Sequence, residues 1–304
     1  MPSDENANER TGGGRSKAKI ALAVVAAILL LIVVATVVRD WMALNRAFRL
    51  MGHPNTDVRM GASEVILSYG PRAVPKLMDE LHTQQGIGLA MCAVMAGRLR
   101  AESAAPRLVE ILSDPSWEVR QSAAAALGRI RAAEAVDPLI VCLSDKVASV
   151  RRNAATALGR IGEPARPAAP KLIELLSSPT ELRQAKVAAA RALGRIGDEN
   201  ALQPILKLLD PKSPDLAKAA AQALGDLGSP KAVEPLCKFL TGKNMEDVPP
   251  GVRVVGIEAL GRIGDKSAVP TLKVLADGTK TTSWLVRQAA MDTLHEMGGQ
   301  SGQP

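Results

Sequence analysis

From residue 58 to residue 297 the chain repeats itself at intervals of 30 to 36 residues, and this periodicity restricts its fold more than any other feature. Four strings are nearly superimposable: VRQSAAAALGRI (119–130), VRRNAATALGRI (150–161), AKVAAARALGRI (185–196) and VRVVGIEALGRI (252–263). LAKAAAQALGDL (216–227) is a fifth copy, and fainter ones at 58–69, 88–99 and 286–297 bring the number to eight. In the copy at 119–130, Val119, Ala123, Ala126, Leu127 and Ile130 fall within about 100° of one another on a 3.6-residue wheel. Each copy therefore reads as an amphipathic helix.

A second motif precedes each later copy: AVPKL at Pro75, AAPRL at Pro106, AVDPLI at Pro138, AAPKL at Pro170, ALQPIL at Pro204, AVEPL at Pro235 and AVPTL at Pro270. Proline is accepted in the first turn of a helix, where its missing N–H had no intrahelical acceptor, so these strings open the first helix of each pair. Such pairs cannot bury their apolar faces alone and must stack on their neighbours. The prolines and the ALGRI strings resemble HEAT repeats, in particular the short variety named after phycobilisome lyases. The resemblance implies an all-α fold, an α-solenoid of about eight HEAT-like helix pairs over residues 40–297, and it implies no single function.

Residues 20–38 read IALAVVAAILLLIVVATVV, nineteen residues without a charge. As a helix they cover about 28 Å, enough to cross a bilayer, and they exceed the apolar stretch of a cleaved signal peptide. One transmembrane helix at 20–38 is thus expected before the solenoid. Residues 1–19, polar and glycine-rich, read as a disordered tail, and 298–304 as a flexible C-terminal tail. Arg10, Arg15, Lys17 and Lys19 before the span and Arg39, Arg46 and Arg49 after it slightly favour a cytoplasmic N-terminus, which makes the protein single-pass with its solenoid extracytoplasmic.

Several residue rows recur in register. Gly97, Gly128, Gly159, Gly194, Gly225 and Gly261 hold one helical position where glycine costs about 1 kcal/mol relative to alanine, which points to close approach of a neighbouring helix. Arg59, Arg120, Arg151, Lys186, Arg253 and Arg287 open the second helices, and Asp114, Asp145 and Asp247 stand six residues before three of them. The resemblance implies a ladder of Asp–Arg hydrogen bonds between repeats. Arg98, Arg129, Arg160, Arg195 and Arg262 lie in the last turns, where positive charge suits the helix dipole. Local pairing with Glu102, Glu134, Glu163, Asp198 and Asp265 is expected of them.

No catalytic grouping emerges. A related fold, deoxyhypusine hydroxylase, places His-Glu dipeptides after the Val-Arg of its repeats to hold two irons. The matching positions here hold Met60-Gly61, Ala90-Met91, Gln121-Ser122, Arg152-Asn153, Val187-Ala188, Lys218-Ala219, Val254-Val255 and Gln288-Ala289. Neither a metal site nor a cofactor is expected, and Cys92, Cys142 and Cys237 read as small core residues. The net charge of +7 favours anionic partners, while six aromatic residues offer little stacking surface to nucleic acid. No small-molecule substrate is evident.

The reading is a membrane-anchored, non-catalytic scaffold that binds a protein or other anionic macromolecule. An enzyme or enzyme subunit of the HEAT-like lyase or hydroxylase type is the alternative. Opposite the apolar stripe, the positions of Gln121 and Ala125 would line the concave face of such a stack, and they bring Arg152, Arg191 and Lys218 together from three consecutive repeats. Gln121, Thr156 and Gln222 would stand around them as neutral donors. Arg152, Arg191, Lys218, Gln121 and Gln222 are the expected partner-binding residues.

Overall fold

The eight copies of the repeated string become eight helices: α2 (Thr56–Tyr69), α4 (Gly86–Arg98), α6 (Trp117–Ile130), α8 (Ala148–Ile161), α10 (Arg183–Ile196), α12 (Pro214–Leu227), α14 (Pro250–Ile263) and α16 (Trp284–Gly299). The computed structural model describes residues 12–242, 247–278 and 283–299. The proline strings form shorter helices between them: α3 (Val74–Thr83), α5 (Ala105–Glu110), α7 (Val136–Cys142), α9 (Ala169–Ser177), α11 (Leu202–Leu206), α13 (Val233–Thr241) and α15 (Val269–Ala276). Every one of the seven prolines falls in a first turn, and each short helix follows a 3-10 turn. All regular structure among the described residues is helical.

The first pair is built differently. A single helix, α1 (Gly12–Leu50), carries the apolar stretch and then continues without a break to supply the first helix of the stack. Its Leu44, Ala47 and Phe48, with Met51 just beyond, are buried, and α2 packs against it. By contrast its apolar portion from Leu22 to Val38 is exposed throughout. Residues 12–19, expected in the disordered tail, form the opening turns of α1. Extending an existing helix needs no new nucleus, and the stretch holds no proline. Residues 1–11 of that tail lie outside the described residues. So do residues 300–304 of the expected C-terminal tail, whereas Gly298 and Gly299 close α16.

From α4 to α14 each second helix packs chiefly on neighbouring second helices, whereas α2 packs chiefly on α1. The glycine row explains how closely. A Cβ built on Gly128 would lie 2.5 Å from the Cα of Ala157 and 2.8 Å from its Cβ, nearer than any real contact. Gly97, Gly159, Gly194 and Gly225 meet the backbones of Ala126, Ala192, Ala223 and Ala259 in the same way, and Gly261 meets the Thr293 side chain. The facing alanines are buried as well, so two rows without bulk let backbone meet backbone.

Arginine side chains tie the same helices together at their other ends. Arg120 donates from Nε and Nη2 to Asp145 of the next repeat (2.7 and 3.0 Å) and from Nη1 to the carbonyls of Asp114 and Pro115. Arg151 repeats the pattern one repeat on, with Glu181 as its bidentate partner and the carbonyl of Asp145 as its local one. Asp145 thus belongs to two rungs, accepting one arginine through its carboxylate and a second through its backbone. Its carboxylate also caps the Val147 N–H. Both ion pairs are largely buried, where fork geometry counts most. Arg59 donates to the carbonyls of His53 and Pro54 and to Thr56 Oγ1, fastening its own turn.

Burial alone would raise the pKa of Asp145 and of Glu181, but hydrogen bonds from Arg120 and Arg151, with backbone donors and nearby positive charge, hold both below their ordinary values. The stabilisation this carries is present above the unfolded-state values of 3.8 and 4.5 and is lost as pH falls through the lower folded values.

Two measurements check this account. Gly128→Ala should lower the melting temperature, because overpacking by about 1–3 kcal/mol exceeds the gain of about 1 kcal/mol in helix propensity. Gly61→Ala, with nothing within 4 Å of the added Cβ, should raise it. Acid titration of the helical signal should show a shallower loss of stability below pH 4 or so in Asp145→Asn than in the native chain. The same substitution should cost about 2 kcal/mol at neutral pH.

Candidate functional site

Three of the expected binding residues share one surface. Arg152 and Thr156 of α8, Arg191 of α10 and Lys218 of α12 line an open cleft of about 530 Å3 on the second-helix layer. Stacking at the glycine spacing puts them there, since each occupies the same side of its helix. Arg152 donates to Gln184 Oε1 (2.6 Å) and Arg191 to Gln222 Oε1 (3.1 Å), so neutral amides of the following repeat orient both guanidinium groups. Gln222 acts from a neighbouring cleft, shared with Glu258, Asp292 and Glu296. Gln121, in α6, stands outside the lining of the cation-bearing cleft. Sequence reasoning missed Arg183 and Asp215, which line its rim as an exposed pair 3.7 Å apart. The cleft is therefore positive with one acidic edge, and the surface becomes acidic toward the C-terminus.

The last-turn arginines depart from expectation. Among the described residues none of the five local ion pairs forms. Arg262 pairs instead with Asp226 of the preceding repeat, at the position that holds arginine in five of the repeats. The reason is geometric: a residue of positive φ ends the helix just after the arginine (φ 61° at Arg131), so the acid three to five residues on is no longer on the same helical path. Arg98, Arg129, Arg160 and Arg195 converge instead on an open groove of about 590 Å3 whose floor includes Gly97, Gly128 and Gly159. Arg100 and Arg131 join them, neither of which the periodicity singled out. Burial, together with the charges of Arg129 and Arg195, pushes the pKa of Arg160 below the ordinary guanidinium value.

Cys92 and Cys142 are buried, Cys237 is half-buried, and all three are free thiols. Burial, with a small contribution from Glu80, pushes Cys92 up to about 12, and burial raises Cys142 to about 11, which keeps both protonated and unreactive at neutral pH. Among the described residues no three His, Cys, Asp or Glu side chains gather closely enough to hold a metal ion.

The repeat architecture and its sequence register can now be set beside known proteins. The family model for HEAT repeats matches residues 105–188 and 169–248, and that for the PBS lyase HEAT-like repeat matches 252–278. The chain is a solenoid of HEAT-like repeats, one of which matches the PBS lyase HEAT-like model. Among solved structures, the complex of CpcE and CpcF of phycocyanin lyase from Nostoc sp. PCC7120 is similar at 26% identity and a TM-score of 0.50, over 74% of this chain and 94% of that one. YibA of E. coli is similar at 23% identity and a TM-score of 0.57, over 83% and 92% of the two chains. An engineered protein is similar at 21% identity and a TM-score of 0.51, over 83% and 77%. No curated protein matches the chain. The last two likenesses concern the fold alone. What this HEAT-repeat solenoid does must be argued from its own surface.

Proposed function

We propose that the protein is a membrane-anchored HEAT-repeat scaffold whose cationic cleft binds an anionic surface of a protein partner, without turnover. The observation that carries this reading is the cleft lined by Arg152, Arg191 and Lys218, three cations from three consecutive repeats with no carboxylate but Asp215 at the rim. Bound anionic side chains would find two guanidinium groups already oriented by Gln184 and Gln222, which lowers the ordering cost of recognition. HEAT-like repeats of the phycocyanin lyase occur in a complex of two proteins, which supports a protein as the partner class.

Anchoring rests on α1. Its stretch from Leu22 onward is long and apolar enough to cross a membrane and is not buried against the solenoid. Trp41, 65% exposed, follows the apolar residues two positions after Arg39, an arrangement suited to the headgroup level of a bilayer. The slight excess of positive charge before the span supports a cytoplasmic N-terminus and an extracytoplasmic solenoid.

An enzymatic reading finds its support in the lyase likeness alone.

In affinity capture from solubilised membranes, the full chain carrying Arg152→Glu, Arg191→Glu and Lys218→Glu should lose the partner that the native chain retains, with helical signal and melting temperature nearly unchanged. Equal capture at low salt, where such contacts are strongest, would overturn the site. Protease added to intact cells, after permeabilising any outer membrane, should digest the solenoid. Protection until the inner membrane is lysed would reverse the orientation.

A further inference from the structure

A second positive surface lies apart from the cleft, at the C-terminal ends of α4, α6, α8 and α10. Four of its arginines sit at one helix position in successive repeats, and all are exposed. No carboxylate stands within ion-pairing distance of them among the described residues. At the opposite ends of these helices, by contrast, Arg120 and Arg151 are held by bidentate contacts to Asp145 and Glu181. Here the neighbours of Arg160 are more arginines.

Two further arginines enter this groove against the preference of the backbone. In the first seven repeats the residue just after the repeated string has positive φ, and in five of them it is glycine: Gly70, Gly162, Gly197, Gly228 and Gly264. In the other two it is Arg100 (φ 51°) and Arg131 (φ 61°), the only non-glycine residues with positive φ among those described. A side chain in that region is strained, and glycine is the residue that relieves it. Both exceptions belong to repeats that border the groove, and both side chains line it. Strain held at two positions, each adding a cation to the same surface, is the mark of a binding site rather than of a helix end.

The groove has defined limits. At the α2 end the arginine position is held by Ser68, and at the α12 end by Asp226, which is already engaged by Arg262. Three steps between helices separate α4 from α10, about 25 Å, the span of roughly eight residues of extended chain. One repeat thus matches about every third residue of a strand. No aromatic side chain lines the groove to stack a base, and a concave channel fits a single chain better than a flat bilayer.

We propose that Arg98, Arg100, Arg129, Arg131, Arg160 and Arg195 form a channel that takes an extended acidic segment of a partner polypeptide, its carboxylates seated in the arginine forks. The fork geometry selects carboxylates spaced along it. The channel is distinct from the Arg152–Lys218 cleft, and the two are separable by mutation.

The test uses the full chain in a neutral detergent and fluorescein-labelled oligoglutamates, read by anisotropy at about 20 mM salt, where charge contacts are least screened. Affinity should rise with length to about eight residues and then level off. Arg129→Gln with Arg160→Gln should weaken decaglutamate binding about tenfold. Arg100→Gly with Arg131→Gly should weaken it about fivefold while raising the melting temperature, a combination that misfolding cannot produce. Arg152→Gln with Arg191→Gln, which removes the same charge from the cleft, should weaken decaglutamate binding less than Arg129→Gln with Arg160→Gln. The proposal is overturned if both channel variants bind as tightly as the native chain, if only the cleft variant loses affinity, or if triglutamate binds as well as decaglutamate. Tighter binding of a dT10 oligonucleotide or of phosphatidylserine vesicles than of decaglutamate would also overturn it.

Discussion

Backbone-to-backbone contact between consecutive second helices is the constraint from which the remaining features follow. It requires a position without a Cβ on one helix and alanine on the next, as at Gly128 against Ala157. It also explains why so little aromatic residue is present, since a ring between these helices would hold them apart. The contact fixes the interval at which side chains recur along the solenoid. Cations placed at one helix position in successive repeats therefore become a regular row, and the surface inherits the periodicity of the core.

Charge is divided between the two ends of the second helices. At the N-terminal ends arginine is turned inward onto the next repeat, and its fork is filled by Asp145 or Glu181 and by local carbonyls. These residues hold the stack and have no capacity left for a partner. At the C-terminal ends the same residue type meets the partial negative charge of the helix but lacks carboxylates. One residue type thus serves cohesion at one end of a helix and leaves recognition open at the other, according to whether acids are supplied.

Much of the architecture was legible because it depends on periodicity. Seven prolines and six glycines in register specify helix pairs and their close approach, and the structure places each in its expected role. The ladder was legible in outline, although Glu181 does at Arg151 what Asp145 does at Arg120, and its position in the loop before α10 breaks the spacing. The pairing of the last-turn arginines was not legible. Looking three to five residues on for the nearest acid assumes that the chain continues along one helix, whereas it turns at Arg131 and its counterparts. Arg100 and Arg131 carried a signal that helix periodicity does not register, namely arginine where sibling repeats hold glycine. The first helix of the stack was equally hidden, since it lacks the proline string and emerges from the apolar helix itself.

That continuity of α1 bears on how the molecule stands. A helix of 39 residues, about 58 Å long, has its apolar half free and its other half locked into the core by Leu44, Ala47 and Phe48. No linker intervenes, so the solenoid is held on a strut rather than on a leash. Whatever fixes the tilt of the apolar half also fixes the bearing of every repeat behind it, and an approaching molecule meets the two positive surfaces at a set height and heading instead of sweeping through a range of them.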